Sequence, residues 1–341
     1  MTRIFLTGAS GYIGGNVLHL LLEKHPEYEV SVLVRDAAKG AKIAEVYPRV
    51  RVVQGELDSL AVVEEEARRA DVVVHAAASN HIESAEAVFR GLSDPTREKT
   101  GYWIQVSGAT LLSAPEIEKG VFGEPSEKIY GDIDNEEDIK SIIRQYSAKR
   151  VVDSFILNSP SSPKTAVVVP PIIYGQGQGP IKQRSVQIPE LARITLQHKT
   201  GYQVGRGLSV WSNVHIADIS SIFVALVEKA AAGDDGPYWN ENGIYLAENG
   251  AISFGDISRR VAEEATKLGL SSTDVKEVDH AEADELSPHA GILLGTNARA
   301  KAQRARKVLG WTPTGGSLQE EIAETVRIEA VALGLLSKST L

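Results

Sequence analysis

The stretch Ile4-Phe5-Leu6-Thr7-Gly8-Ala9-Ser10-Gly11-Tyr12-Ile13-Gly14 decides the reading of this chain. Ile4 to Leu6 form a compact apolar run, Gly8, Gly11 and Gly14 recur at every third position, and from Ile13 to Lys24 the apolar residues follow helical spacing. The order is therefore strand, turn, helix. At such a turn the first backbone N–H groups of the helix have no partner within it, and the helix dipole adds partial positive charge, so a pyrophosphate is stabilised there. Glycine permits the tight bend and lets phosphate and helix approach the backbone closely. Steric need alone also places glycines between strands and helices; what favours binding is the position of this turn directly after the first strand. Thr7, Gly8, Ser10, Gly11, Tyr12, Ile13 and Gly14 are the residues predicted to surround the phosphates.

Working outward, short β-branched runs alternate with helical patterns. Strands are predicted at Arg3 to Thr7, Glu29 to Val34, Arg51 to Gln54, Asp71 to His75, Tyr102 to Val106 and Thr165 to Val169, with helices plainest at Ile13 to Lys24, Leu60 to Arg69 and Glu136 to Leu157. This alternation predicts parallel strands joined by crossover helices. Runs such as Val72-Val73-Val74, apolar at every position, suit strands covered on both faces. The predicted fold class is α/β: a doubly wound parallel Rossmann sheet with a smaller, interleaved C-terminal substrate lobe. After Pro170-Pro171, glycine, proline and polar residues interrupt shorter elements. Residues 1–170 and 214–232 are accordingly assigned to the dinucleotide-binding domain and 171–213 and 233–341 to the lobe, with Val214 to Ala232 read as a returning strand and helix.

The 341 residues are 43% hydrophobic and 24% charged, enough for a sizeable core. A formal net charge of -9 opposes attraction to nucleic acid or an anionic membrane surface. No apolar stretch approaches the roughly 20 residues that span a bilayer, and the N-terminus enters a strand pattern at once. A cytoplasmic location is expected. The absence of cysteine removes disulfides, thiolate nucleophiles and cysteine metal sites together.

About 20 residues beyond the last glycine, the second strand of such a unit normally ends in an acid that binds the adenosine ribose. Arg35 stands there instead. Its planar fork of donors suits a 2′-phosphate, and Lys39 and Lys42 add positive charge nearby. Asp36 offers the competing reading, a ribose-binding acid, if the strand ends one residue later. NADP(H) is favoured over NAD(H). The third strand runs into Gly55-Glu56-Leu57-Asp58, and the fourth into Ala76-Ala77-Ala78, whose small side chains let a cofactor lie against the backbone. Asp58 can also cap the helix that begins near Leu60.

The turn Thr-Gly-x-x-Gly-x-x-Gly resembles that of extended short-chain dehydrogenase/reductases. The resemblance continues in Pro171-Ile172-Ile173-Tyr174-Gly175, in Val214-His215-Ile216-Ala217-Asp218 and in Leu309-Gly310-Trp311-Thr312-Pro313. Their order and spacing resemble the NAD-dependent epimerase/dehydratase branch, in particular its fungal-type members. The resemblance implies that Asp58, with Glu56 and Leu57, lies at the adenine, and that Pro170, Ile172 and Ile173 lie along the cofactor. It also implies a catalytic tyrosine, a lysine four residues later that binds ribose, and a serine or threonine for the substrate oxygen. Chemically, an adjacent ammonium draws a phenol's pKa toward neutrality.

No Tyr-x-x-x-Lys occurs in this chain. Tyr146-Ser147-Ala148-Lys149 is one residue too short, and aligning Lys149 with the family's lysine puts Gln145 in the tyrosine's place. Tyr146 and Lys149 are the candidate pair, with Lys149 also a ribose ligand. Tyr130 is a further candidate for the phenol, and Ser107 or Thr110 for the hydroxyl. Tyr174, Trp211 and His215 are possible walls of a substrate pocket, with Arg184 and Arg206 as anion ligands; each also reads as core or surface.

These readings point to an NADP(H)-dependent oxidoreductase acting on a small carbonyl or alcohol. The alternatives are an NAD-dependent epimerase or dehydratase and a dinucleotide-binding sensor without turnover. The expected partner is a small-molecule substrate, with neither nucleic acid nor membrane. A homodimer through helices near Glu83 to Gly91 and Ser141 to Leu157 is the family's pattern.

Overall fold

In the computed structural model, which describes residues 2–337, each of the six strands expected between Arg3 and Val169 forms within a residue of its expected bounds. The first half of the chain runs β1 (Arg3–Thr7), α1 (Tyr12–Lys24), β2 (Glu29–Val34), α2 (Ala37–Val46), β3 (Arg51–Gln54), α3 (Leu60–Arg69), β4 (Val72–His75), α4 (Ile82–Leu92), β5 (Tyr102–Val106) and α5 (Thr110–Lys119). Two further helices, α6 (Glu136–Gln145) and α7 (Val151–Asn158), precede the strand Lys164–Val169.

These strands build a seven-stranded sheet, all parallel, in the spatial order Ile244–Leu246, Lys164–Val169, β5, β4, β1, β2, β3. Strand order reverses between β1 and β4, where Thr7 pairs with His75 on one side and Leu33 on the other. At such a reversal the flanking loops diverge and leave a crevice at the carboxyl ends of the strands. The glycine turn sits in that crevice.

Alternation along each strand supplies both faces of the sheet. Phe5, Val73 and Trp103 belong to a core with Val63, Ala67 and Val88 of α3 and α4. Leu6, Val74 and Ile104 belong to a second core with Val17 and Leu21 of α1 and with Ile219 and Phe223. Burying each such side chain contributes roughly 1.5–3 kcal/mol, which fixes the strands and hence the crevice between them. The helix Ile216–Ala231 packs along α1, where Asn16 Nδ2 donates to Ser220 Oγ at 2.9 Å.

Two elements differ from the sequence expectation. The strand Val210–His215 pairs with Ile172–Tyr174 and Ala251–Ser253 in a separate three-stranded sheet, so only the helix after it returns to the large sheet's layer. The large sheet instead takes Ile244–Leu246, from the segment 233–341 assigned to the lobe. The predicted helix Glu136 to Leu157 is two helices, α6 and α7, separated by a turn at Tyr146 to Arg150. The apolar phase requires this break. Ile139, Ile142 and Ile143 are buried on α6 and Val152 and Ile156 on α7, and at about 100° per residue Val152 would lie roughly half a turn round from Ile143 on one continuous helix. Splitting the helix buries both sets.

Candidate functional site

Gly8 has φ +84°, and a Cβ added there would lie 2.6 Å from the Ala76 carbonyl carbon. A Cβ on Gly14 would run into the Gly8 carbonyl oxygen. Both positions thus require glycine for the backbone path itself. Gly11 N donates to Gly8 O at 2.8 Å, closing the turn. Gly11, the residue at the head of α1, provides no side-chain cap, which leaves the first N–H groups of the helix open to an anion.

In front of the turn lies a cavity of about 350 Å³ lined by Thr7, Gly8, Ser10, Gly11, Leu33, Arg35, Asp36, Lys39, Gly55, Glu56, Leu57, Ala76 and Ala77. Most of the residues predicted to hold a dinucleotide converge here. A larger cavity, about 790 Å³, lies elsewhere, between α6, α7 and residues 235–244.

The charged groups at the rim have distinct roles. Asp36 caps α2 by accepting from Lys39 N at 3.0 Å, and this backbone hydrogen bond holds its carboxyl below the usual range. Arg35 extends into solvent with its side chain 81% exposed, Nη1 3.9 Å from Glu56 Oε2. Asp58 does not line the cavity; it pairs with His81 Nε2 at 3.0 Å. Tyr12 and Ile13 stand at the start of α1, where the Tyr12 hydroxyl donates to Gly175 O at 2.6 Å. Ala78 O accepts from Gln105 Nε2, and Pro170 O from Ala109 N, so both flank the end of β5. Ile172 is buried beside Pro170, and Ile173 is half-buried.

Around the end of β5 the structure gathers side chains that sequence pattern alone did not connect. Ser107 Oγ donates to Asp153 Oδ2 at 2.9 Å, and Asp153 Oδ1 is buried without a partner among the described residues. Burial pushes the Asp153 carboxyl up to about 6, against the attraction of Arg150 and the Ser107 hydrogen bond. Thr110 Oγ1 accepts from Arg150 Nη2 at 2.6 Å. The break after α6 accounts for the placement of Tyr146 and Lys149. Tyr146 donates to Glu118 Oε2 at 2.6 Å, and this carboxylate raises its pKa instead of lowering it. Lys149 is exposed in the turn and makes no side-chain hydrogen bond or ion pair among the described residues. Sequence reasoning missed Arg150; its signal was its place one helical turn before Asp153.

The lobe residues carry structural contacts. Trp211 Nε1 donates to Thr296 O, Tyr174 to Gly316 O, and His215 Nδ1 caps the helix Ile216–Ala231. Arg184 pairs with the buried Glu329 at 2.6 Å and Arg206 with Glu124 at 3.0 Å. Among the described residues no helix is long and apolar enough to cross a membrane.

Comparison with known proteins agrees with this architecture. "Oxidase ucsJ" of Acremonium sp is 36% identical over 98% of this chain and 99% of its own length. dTDP-glucose 4,6-dehydratase of Bacillus anthracis, solved with NAD, superposes with a TM-score of 0.64 at 18% identity, covering 96% of each chain. Human epimerase family protein SDR39U1, solved with NADPH, gives a TM-score of 0.61 at 14% identity over 96% of this chain and 99% of the other. At such identities the two structures establish the fold alone. Residues 4–240 match the NAD dependent epimerase/dehydratase family, and the chain belongs to that family.

Proposed function

We propose that this protein is an NADP(H)-dependent oxidoreductase for a small carbonyl or alcohol substrate. The carrying observation is the rim of the crevice: Asp36, the acid that would select an unphosphorylated ribose, is engaged in capping α2, while the neighbouring Arg35 fork is 81% exposed and held only by a long 3.9 Å ion pair to Glu56, which a 2′-phosphate would displace. Thr7 to Gly14 would hold the pyrophosphate, Glu56 and Leu57 the adenine side, and Ala76 to Ala78 the path toward the end of β5. A nicotinamide bound along this path supplies hydride exchange with a carbonyl carbon; the chain's own residues bind it and orient the substrate. The 36% identical relative, named an oxidase, supports redox chemistry on this scaffold. The reading places the protein in the cytoplasm.

The test is a panel of aldehydes and ketones supplied with NADPH, followed by loss of the reduced-nicotinamide absorbance. Turnover with members of the panel is expected. NADPH binding without turnover anywhere in the panel would reject the oxidoreductase reading in favour of a sensor. Family membership favours a second reading, an epimerase or dehydratase that oxidises and re-reduces its own substrate. That reading requires NAD to remain bound through purification.

A further inference from the structure

Hydroxyl protons at the end of β5 are unevenly committed. A hydroxyl has a single proton to donate. Ser107 gives its proton to Asp153 and Tyr146 gives its proton to Glu118. Neither is free to donate to a substrate without breaking a hydrogen bond to a carboxylate. Thr110 differs. Its oxygen accepts from Arg150 Nη2 at 2.6 Å, and its own O–H meets no acceptor among the described residues. Tyr130 also donates to no described residue, but no cation bonds to its oxygen: Lys128 Nζ lies 5.0 Å from the ring centroid, and burial raises the phenol's pKa.

Arg150 completes the arrangement. Its guanidinium commits one N–H to Thr110, and its other side-chain donors meet no described acceptor. Asp153, three residues on, attracts it, and Ser107 fixes Asp153 in turn. Arg150 and Thr110 are both half-buried, so water screens them less than it would at the surface. A cation that donates to a hydroxyl oxygen also polarises its O–H, making it a stronger donor.

We propose that Arg150 and Thr110 form the clamp for the reacting oxygen of the substrate, a carbonyl oxygen in reduction and an alcohol oxygen in oxidation. The assignment of that oxygen rests on the oxidoreductase reading above. The oxygen carries most negative charge in the transition state, so a preorganised cation and hydroxyl aimed at it lower the barrier as well as binding the substrate. Ser107 holds the Asp153 carboxylate, which acts on the guanidinium through its charge, with no hydrogen bond or ion pair between the two among the described residues. The clamp takes the charge-stabilising part of the role that a phenol beside an ammonium would otherwise fill, while solvent water gives the proton to the alkoxide in reduction and takes it from the alcohol in oxidation, in a chain whose Tyr146 and Lys149 are turned elsewhere.

Acetate, a small oxyanion, is the probe, with binding read by saturation-transfer NMR on the full chain with and without NADPH. Wild type is expected to bind acetate, and Arg150→Gln and Thr110→Val each to weaken binding by at least about tenfold. Tyr146→Phe and Tyr130→Phe are expected to leave it unchanged. Arg150→Lys, which keeps the charge and loses the fork, and melting curves of every variant separate loss of the clamp from loss of the fold. Equal acetate affinity in wild type and a folded Arg150→Gln or Thr110→Val, or no acetate binding by wild type, would overturn the proposal. Nicotinamide fluorescence on the same samples keeps the two claims apart. Arg150-dependent acetate binding without NADPH binding supports the clamp and removes the oxidoreductase reading.

Discussion

The phosphate turn and the segment Tyr146 to Arg150 are built from opposite kinds of constraint. At the turn the backbone does the work: Gly8 must take a positive φ, Gly14 must leave room for the Gly8 carbonyl, and the groups offered to an anion are N–H donors that every residue type except proline carries. Such a site is written in the chain as glycine. At 146–150 the work falls to side chains whose directions depend on where α6 stops. A break set by the burial of Ile143 and Val152 turns Tyr146 toward Glu118 and Arg150 toward Thr110. Backbone-made sites are therefore legible at a distance, whereas side-chain sites depend on packing decided elsewhere.

The sharpest way to break this contrast is Gly14→Ala. The added Cβ collides with a carbonyl that cannot move without opening the turn, so NADPH binding is expected to weaken by at least about 100-fold; near-normal binding in a calorimetric titration would show that the turn is not the cradle. Asp153→Asn examines the other region through stability. The folded carboxyl is raised from 3.8 to about 6 by burial, so the wild type binds a proton that the unfolded chain has released, and its stability relative to Asp153→Asn declines as pH rises from about 4 to about 6. At about 1.4 kcal/mol per unit the decline is on the order of 2–3 kcal/mol. Melting temperatures of both proteins across that window check it, and a constant gap would mean that Asp153 does not titrate there. The smallest effect is expected from Tyr146→Phe, which removes two exposed hydrogen bonds, one to Glu118 and one from Gln145. Its melting temperature should match wild type to within a few degrees, corresponding to about 0.5 kcal/mol or less, and the turnover of any accepted substrate should persist. Loss of turnover with cofactor binding intact would return the phenol to the chemistry.

Much of the fold was readable because parallel strands buried on both faces are near-continuous apolar runs, as in Val72 to Val74. Ile244–Leu246 was missed because three residues carry no periodicity and their partner strand lies far back in the chain. The places of Arg35, Lys39 and Glu56 on the rim were legible because their distance from the glycine turn is set by α1, β2, α2 and β3, all of ordinary length. Asp58 shows the limit of that ruler: its carboxylate is drawn to His81, a residue beyond β4. Ser107 and Thr110 looked equivalent as neighbouring hydroxyls. They differ only in that one donates to Asp153 and the other accepts from Arg150, which depends on how α7 docks against β5.

We propose above that the crevice before the glycine turn binds a dinucleotide and that Arg35 selects the phosphorylated one. Fluorescence titration of wild type and Arg35→Ala with NADPH and with NADH tests it most directly. Wild type is expected to favour NADPH by about tenfold or more, as the loss of a charge-assisted hydrogen bond worth roughly 1.5–3 kcal/mol would imply, and Arg35→Ala to bring NADPH down to the affinity of NADH while leaving NADH unchanged. Failure of wild type to bind either dinucleotide, or an undiminished preference for NADPH in Arg35→Ala, would contradict the account.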